Sequence, residues 1–353
     1  MSRRHTVRQP AKARPGDRVA IVSTSFAAPA LFPAVHEQAM RRLTDLTGLV
    51  PVEFPRTRNL EVSPAERAAD LNAAFADPSV RAVCAVIGGD DQAELVRHLD
   101  PAALADPKPF LGYSDNTGVL HWLWLHGVAG FYGGSTQVHL GAGPAVDDVH
   151  VRSLRAALLD GGVLEVTEPG ESEDFGVDWS DPRALTAFGE REPTEPWMWS
   201  GPARRVSGPT WGGCLEVLDA IFLADRFGFP PDELDGAVLL IETSEEAPPA
   251  VWVRRVLRAL GERGLLAPLA GVLVARPVVS SHQRRPPAAE RARLRAAQCD
   301  AVVEVVGRYA PNAVVCVGVP FGHTRPQWIV PHGGTMTLDA AAHRVFADFG
   351  PAA

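Results

Sequence analysis

The sequence has little of what marks membrane, metal-binding and nucleic-acid-binding proteins. No apolar run approaches the roughly 18 residues that a membrane-spanning helix needs. The net charge of −8 disfavours nucleic acid or an anionic membrane surface as a partner. No C-x-x-C pair is present, and the four cysteines are far apart: Cys84, Cys214, Cys299 and Cys316. Three of them lie in apolar runs, which is typical of reduced core thiols in a cytoplasmic protein without a metal.

The composition that is present predicts an ordinary globular protein of one large or two medium domains. The chain has 353 residues, of which 46% are hydrophobic and 22% charged, enough to bury a substantial core. We expect a disordered basic tail over residues 1–14, an N-terminal domain over 15–165 and a C-terminal domain over 209–353. Residues 166–208 are rich in acidic residues, proline, glycine and tryptophan, and we expect an irregular connector there.

Short apolar runs alternate with stretches of helical length, which predicts an α/β fold. In the N-terminal half, the apolar runs at 19–22, 80–87 and 110–111 are separated by amphipathic segments. This alternation is typical of a mostly parallel sheet flanked by helices. The C-terminal half repeats the alternation and ends in short β segments, so a mixed α/β domain is expected.

The segment 109–118 has the pattern of a strand that turns sharply into a helix at a polar residue. An apolar run ends at Gly112, Ser114 comes two positions later, and an apolar stretch of helical length begins after Asn116. Such a turn lifts the side chain above the sheet edge and leaves helix N–H groups free for an oxyanion. Ser114 is therefore a candidate nucleophile, although Asn116 stands where the usual pattern has a second glycine. Helix capping by Ser114 or Asp115 explains the same residues equally well.

Two further polar residues follow predicted strands and complete a candidate triad. Glu242 ends one apolar run of the C-terminal half, and His323 follows another. An imidazole suits a hydroxyl nucleophile as its base, and a carboxylate fixes the tautomer of that imidazole. Glu245 or Glu246 could take the place of Glu242, and the presence of eleven histidines leaves the choice of base open.

Six short segments together resemble those of the serine LD-carboxypeptidase family, which includes the microcin C-type self-immunity peptidases. They occur in the order of the family and span nearly the whole chain, at residues 14–22, 86–89, 112–115, 211–215, 240–243 and 322–326. The resemblance implies a two-domain α/β serine peptidase. It also implies amide hydrolysis without a metal or cofactor, usually in a homodimer.

Position by position, the resemblance assigns roles to five residues. It makes Ser114 the nucleophile, His323 the base and Glu242 the carboxylate that orients the base. It implies that the oxyanion donors are the backbone N–H groups of Gly89 and Asp115. In this arrangement the N-terminal domain carries the nucleophile, and the C-terminal domain supplies the glutamate and the histidine at the interface.

Two departures from the pattern of the family put the substrate in question. A helix is predicted over 211–223, and the bare N–H groups of the glycine pair Gly212-Gly213 near its start suit a carboxylate. Gly213 and Cys214 are therefore candidate substrate-binding residues. Family members often carry asparagine where this chain has Cys214. Asp90 and Asp91 follow the glycine pair beside the expected oxyanion donors, where neutral residues are common. Two carboxylates there would repel an anionic substrate group and attract an amine.

The remaining candidates concern substrate binding. Trp197 and Trp199 in the connector are candidates to stack on a nucleobase-like group, with packing onto the domains as the alternative. Arg276 and Arg325 are candidates for a substrate carboxylate, with a surface or interdomain ion pair as the alternative.

The tryptophan-rich connector resembles the immunity branch of the family. This predicts cleavage of a peptidyl or aminoacyl amide in a small toxic molecule, such as a nucleotide-linked antibiotic. The alternatives are a cytoplasmic LD-carboxypeptidase that acts on murein tetrapeptide and, in another class, a non-catalytic small-molecule binding protein.

Overall fold

The computed structural model describes residues 7–226 and 228–352, and its strands form two large sheets and one small sheet. In chain order, strands β1 to β16 are Arg18–Val22, Val50–Glu53, Val80–Ala85, Phe110–Gly112, Gly130–Tyr132, Val163–Val166, Glu171–Ser172, Glu192–Pro193, Met198–Ser200, Arg205–Cys214, Val238–Glu242, Gly271–Ala275, Val314–Val319, Val330–His332, Thr335–Asp339 and Arg344–Asp348. Five of them, β6 to β10, lie at least partly within residues 166–208, where an irregular connector is expected from the sequence.

The helices alternate with the strands as the sequence predicts. Helices α1 to α9 are Ala28–Leu31, Pro33–Thr47, Pro64–Ala76, Gln92–Leu95, Thr117–Leu125, Asp148–Arg155, Leu215–Leu223, Ala250–Glu262 and Ala288–Tyr309. Short 3₁₀ turns occupy Val96–His98, Pro101–Leu104, Ser114–Asn116, Pro182–Leu185 and Pro231–Leu234, and π-helical turns occupy Thr136–Gly141 and Ala156–Asp160. Within the described part of the chain, no helix combines the length and apolarity that crossing a bilayer requires.

The first sheet has the strand order β14-β5-β4-β3-β1-β2 and is parallel except for β14. Its central strands are buried on both faces, which is why they are continuous apolar runs in the sequence. Because β3 and β4 are parallel neighbours, their carboxyl ends meet at one edge of the sheet. The glycine pair that follows β3 therefore lies beside the turn that follows β4.

The second sheet has the order β6-β16-β15-β10-β11-β12-β13-β9. Strands β10 to β13 are parallel, and the outer strands are antiparallel, so this sheet is mixed. The predicted fold class, a mostly parallel N-terminal sheet with a mixed α/β C-terminal part, is confirmed.

The two sheets exchange edge strands, and this exchange positions the loop between β13 and β14. Strand β6 pairs with β16, and strand β14 pairs with β5 in the first sheet. The loop that carries His323 leads directly into β14, and Gln327 within it accepts a hydrogen bond from the Gly134 N–H at 3.0 Å. The histidine is thereby held against the first sheet although it lies more than 200 positions beyond Ser114.

The tail expected to be disordered has a different structure over residues 7–14. Lys12 donates to the Ala157 carbonyl at 2.8 Å and lies 4.4 Å from the centre of the Phe131 ring. Burial lowers the pKa of Lys12 to about 7, although Asp348 opposes this effect. The apolar stem of the lysine packs inside while its amine finds a carbonyl, so the segment is ordered. The rest of the expected tail, residues 1–6, lies outside the described residues.

The helix expected over 211–223 begins later than predicted. Residues 211–214 are the end of strand β10, and α7 begins only at Leu215. Gly212 and Gly213 have φ angles of 124° and 138°, which are accessible to glycine but not to other residues without strain. A Cβ on Gly212 would lie 2.2 Å from the Leu240 carbonyl oxygen. The glycines therefore allow close pairing with β11 and do not present a helix N-terminus.

Candidate active site

The turn after β4 holds Ser114 in a conformation that few side-chain-bearing residues adopt. Its φ angle is 63°, in the left-handed region that costs a non-glycine residue roughly 1 kcal/mol. Asn116 secures the turn, since its side-chain oxygen accepts from Thr24 at 2.7 Å and from Gln92 at 2.9 Å. Its amide donates to the Ile87 carbonyl at the end of the neighbouring strand, at 3.2 Å. The asparagine thus has a structural role where the usual pattern has glycine.

The glycine pair after β3 packs against this turn. A Cβ on Gly88 would lie 3.0 Å from Ser114 Oγ and 3.1 Å from the Asp115 backbone nitrogen. A Cβ on Gly89 would lie 2.0 Å from Ser25 Oγ. A side chain on Gly88 would displace the nucleophile turn, and one on Gly89 would displace Ser25, so both positions favour glycine. Bare backbone therefore lies next to Ser114, as an oxyanion site requires.

The histidine and the glutamate predicted for the triad are in contact. The distance between His323 Nδ1 and Glu242 Oε2 is 2.5 Å, and Glu242 is only 1% exposed. Burial alone would lower the pKa of His323, but the carboxylates of Glu242 and Glu245 outweigh it and raise that pKa well above its usual value. A buried carboxylate on Nδ1 fixes the ring so that Nε2 points away from it.

Tyr132, which the sequence reasoning missed, joins the glutamate to the nucleophile turn. Its hydroxyl donates to Glu242 Oε1 at 2.5 Å and accepts from the Ser114 backbone N–H at 3.2 Å. Burial and the charge of Glu242 raise the pKa of Tyr132 well above its usual value, so the phenol keeps its proton. Both oxygens of Glu242 are thus hydrogen-bonded, one to His323 and one to Tyr132. In the sequence, Tyr132 reads only as the last residue of an apolar strand.

Glu245 contacts the other nitrogen of the same ring. Its Oε2 lies 3.1 Å from His323 Nε2, and its side chain is 68% exposed. The hydrogen bond to His323 lowers the pKa of Glu245 to about 2. Of the three candidate glutamates, Glu242 binds Nδ1 and Glu245 binds Nε2, whereas Glu246 forms no hydrogen bond with the ring among the described residues.

Ser114 and His323 open into one cleft of about 600 Å³ between the two sheets. Tyr113, beside the serine, packs edge-on against His323 with the ring centres 4.9 Å apart. Gly89 lines the cleft, and Trp179 and Phe175 form part of its opposite side. The volume suits a small molecule of substrate size.

Arg276 is not one of the residues that line the cleft, contrary to its prediction as a substrate contact. It is 2% exposed and donates to Asp174 at 2.7 Å, Glu192 at 3.0 Å and Glu195 at 2.8 Å. Arg295 binds the same three carboxylates. All three nitrogens of Arg276 thus bind carboxylates of the connector and fix it to the second sheet. This is the ion pair expected from the sequence as the alternative to a substrate contact.

Arg325 lines the cleft, but its donors are also occupied. Its Nε donates to Asp147 at 2.8 Å, and its two terminal nitrogens donate to the carbonyls of Ala142 and Ala145, both at 3.0 Å. These contacts leave the guanidinium with no free fork for a substrate carboxylate. The prediction that it binds one is not favoured by this geometry.

The tryptophans named from the sequence pack away from the cleft, and a third one lines it. Trp199 stacks on His343 with ring centres 5.7 Å apart, and Trp197 packs against the first core. Trp199 lies in β9, which pairs with β13 at the outer edge of the second sheet, and Trp197 directly precedes β9. Trp179 instead lines the cleft and meets the Phe32 ring edge-on at 5.5 Å. Sequence composition alone could not rank the tryptophans of this segment.

Gly213 and Cys214 lie behind the triad and not in the cleft. A Cβ on Gly213 would lie 2.7 Å from both Thr117 Oγ1 and Tyr132 Cε2. Cys214 is buried, its backbone N–H donates to Thr117 at 3.1 Å, and its thiol donates to Glu216 at 3.2 Å. The predicted carboxylate site is therefore filled by the protein itself.

The two aspartates after the glycine pair have different surroundings. Asp91 forms an ion pair with Arg67 and accepts from Ser25 Oγ at 2.7 Å, so its charge is compensated. Asp90 is exposed and lines the cleft. Only one of the two carboxylates is therefore available to a substrate.

Comparisons with known proteins agree with this arrangement. Residues 19–133 match the LD-carboxypeptidase N-terminal domain, and residues 207–338 match the LD-carboxypeptidase C-terminal domain. The chain belongs to the LD-carboxypeptidase family. A protein of Streptomyces coelicolor named as a carboxypeptidase is 31% identical to this chain over 280 residues, which cover 75% of this chain and 76% of that protein. The predicted family is confirmed, and the chain is a hydrolase of the peptidase class.

The self-immunity protein MccF is similar to this chain in both sequence and fold. The microcin C7 self-immunity protein MccF of Escherichia coli is 25% identical over 282 residues, 78% of this chain and 75% of that protein. The structure of MccF in complex with glutamyl sulfamoyl guanosine has a TM-score of 0.81 and 20% identity, and the match covers 98% of this chain and 99% of that one. Together they support the self-immunity branch that the sequence resemblance indicated.

Proposed function

We propose that this member of the LD-carboxypeptidase family is a self-immunity type serine peptidase that uses a Ser-Glu-His triad. Its substrate in this proposal is a small molecule in which an amide joins a peptidyl or aminoacyl group to a nucleotide-like group. One observation carries the proposal: a strained serine and a carboxylate-bound histidine open into the same cleft. The serine turn costs stability, and such strain is found where side-chain placement serves chemistry.

The proposed reaction is acyl transfer through the serine. Ser114 Oγ attacks the amide carbonyl while its proton passes to His323 Nε2, and Glu242 stabilises the imidazolium that forms. The backbone N–H groups of Gly89 and Asp115 hold the oxyanion. The Nε2 proton then passes to the leaving nitrogen, the amide C–N bond breaks, and a water molecule hydrolyses the acyl-enzyme by the same steps in reverse.

Tyr132 acts in this scheme as a positioning residue. Its hydrogen bonds to Glu242 and to the Ser114 backbone fix the carboxylate and the serine relative to each other. It touches no reacting atom. Its contribution is to keep the glutamate pointed at Nδ1, which favours the tautomer that can accept the serine proton.

The activity should rise with pH, because His323 is a base only when its Nε2 is unprotonated. The carboxylates of Glu242 and Glu245 raise the pKa of His323 above its ordinary 6.5 despite burial. The pH profile of kcat/KM in the free enzyme is therefore expected to have its acidic inflection above 6.5. Glu245→Gln removes one of the two raising charges and should move that inflection to lower pH. An inflection that Glu245→Gln leaves unmoved would contradict the contact with Nε2.

Trp179 is proposed to contact the nucleotide-like group, since it is the tryptophan that lines the cleft. Trp179→Ala should raise KM by about fivefold while kcat changes little, the loss expected for one aromatic contact. Trp199→Ala is the matched control, because Trp199 stacks on His343 at the sheet edge. Steady-state kinetics on both variants test the assignment, and equal effects on KM would refute it.

A small substrate panel separates this proposal from its two alternatives. Aminoacyl sulfamoyl nucleosides and murein tetrapeptide are each incubated with the enzyme, and products are identified by mass spectrometry. Release of the free amino acid from the conjugates supports the proposal, whereas release of D-alanine alone supports the murein enzyme. Binding of the conjugates with no cleavage of any panel member supports a binding protein.

A cytoplasmic homodimer remains a prediction that sedimentation and fractionation can test.

A further inference from the structure

The cleft is lined by more negative than positive side chains. Among the described lining residues there are five carboxylates and one guanidinium. The guanidinium, Arg325, donates from each of its three nitrogens to the protein, and one carboxylate, Asp174, is paired with two arginines. Asp90, Asp178 and Glu245 remain exposed to the cleft. An anionic substrate group would meet repulsion here, and a cation would be attracted.

A second, independent feature also indicates a positively charged ligand. Glu173 lines the cleft and is 1% exposed, yet no side-chain donor among the described residues lies within hydrogen-bond distance of its carboxylate, which the backbone N–H of Gly189 approaches. The nearest cations are Arg191 at 3.7 Å and Arg325 at 3.9 Å, and the latter donates to other acceptors. Burial raises the pKa of Glu173, although both arginines oppose this. A buried carboxylate without a side-chain donor lowers its free energy when a ligand supplies one.

Glu245 relates the negative charge of the cleft to the proposed proton transfer from Ser114 to His323. It lies on His323 Nε2, the atom that must accept the serine proton, and it is exposed to any ligand that enters the cleft. While Glu245 accepts from Nε2, the ring carries a proton on each nitrogen and cannot act as a base. Productive binding therefore requires the carboxylate of Glu245 to turn away from the ring.

We propose that this site selects substrates whose acyl residue has a cationic side chain, and that this cation draws Glu245 away from His323 Nε2. The carboxylate then pairs with the substrate ammonium, and the Nε2 proton passes to water because one of its two counter-charges has left. His323 is then neutral and can accept the Ser114 proton. This inference rests on the proposed function and names the substrate class of the same site.

The test uses conjugates that differ only in the acyl residue. Lysyl, norleucyl and glutamyl sulfamoyl adenosine are compared, since norleucine has nearly the shape of lysine without its charge. Wild-type kcat/KM should be highest for the lysyl conjugate, by about fivefold or more over norleucyl, and lowest for the glutamyl one. An Nε-acetyl-lysyl conjugate, whose side chain is neutral, should lose the preference over norleucyl. A preference that survives this acetylation would overturn the assignment to the side-chain cation.

Variants of Glu245 decide whether this residue sets the preference. Glu245→Gln should bring the lysyl and norleucyl values together, and Glu245→Lys should favour the glutamyl conjugate over the lysyl one. Glu246→Gln is the control, because Glu246 is equally exposed, adjacent in sequence and not part of the cleft lining. A lysyl preference that survives Glu245→Gln, or that Glu246→Gln removes, would overturn the inference.

Binding measurements separate this inference from the proposed function. Calorimetry with Ser114→Ala compares the affinities of the lysyl and norleucyl conjugates without turnover. Tighter binding of the lysyl conjugate with no cleavage by wild type would contradict the proposed peptidase function and support the cation site. Cleavage by wild type with equal affinities and equal kcat/KM values would support the proposed function and contradict the cation site.

Discussion

Replacing Ser114 with alanine is expected to lower kcat/KM by about 10⁴-fold or more while the protein stays folded. In the proposed reaction this hydroxyl is the group that forms the bond to the acyl carbon. Steady-state kinetics on an aminoacyl sulfamoyl nucleoside measure the loss, and far-UV circular dichroism checks the fold. Ser207→Ala, on an exposed strand position, is the control and should keep full activity.

The same position gives an independent prediction on stability. Because Ser114 has a φ of 63°, Ser114→Gly should be more stable than Ser114→Ala by about 1 kcal/mol, since glycine adopts this conformation without strain. Both variants should be inactive, and urea unfolding measures the difference. Equal stabilities of the two variants would contradict the strained turn, and turnover in either one would contradict the nucleophile.

Glu242→Gln is expected to lower kcat by about 10⁴-fold. The glutamine oxygen can still accept from Tyr132, so its amide nitrogen faces His323 Nδ1 and favours the tautomer with the proton on Nε2. That tautomer cannot accept the serine proton. The variant should therefore bind substrate with nearly normal affinity and fail in the chemical step, which single-turnover kinetics can separate.

Glu216→Gln is the matched control for this substitution. Glu216 is also a carboxylate near the carboxyl ends of β10 and β11, but it accepts from Cys214 and from the backbone and hydroxyl of Ser244. It forms no hydrogen bond with His323 among the described residues, so its amide variant should keep kcat within about tenfold. Equal losses in Glu242→Gln and Glu216→Gln would show that the effect is structural and not one of proton transfer.

The parts of the site that could be predicted from the sequence lie at the ends of buried strands. Ser114 and Glu242 each follow a continuous apolar run, and the rule that parallel strands end at one functional edge selects them. His323 also follows an apolar run, so the same rule selects it as their partner. Whether it reaches them depends on the strand exchange that brings β14 to the first sheet, which no local pattern indicates.

The parts that could not be predicted depend on contacts between distant segments. From the sequence, Arg276 is a charged residue at a strand end that could bind a ligand. In the structure it binds Asp174, Glu192 and Glu195 of the connector instead. Tyr132 reads as a core aromatic because its hydroxyl role depends on Glu242, 110 positions away. The negative charge of the cleft likewise depends on distant segments, because its carboxylates come from several separate loops.

The most direct test of the account is covalent labelling of the serine. Wild-type protein is treated with a fluorophosphonate probe, digested, and the modified peptide is identified by mass spectrometry. The account predicts one modification, on Ser114, and much slower labelling in His323→Ala and Glu242→Gln, because both weaken activation of the hydroxyl. Hydrolysis of an aminoacyl conjugate by a protein in which Ser114 stays unlabelled, or in which Ser114→Ala keeps wild-type turnover, would contradict it.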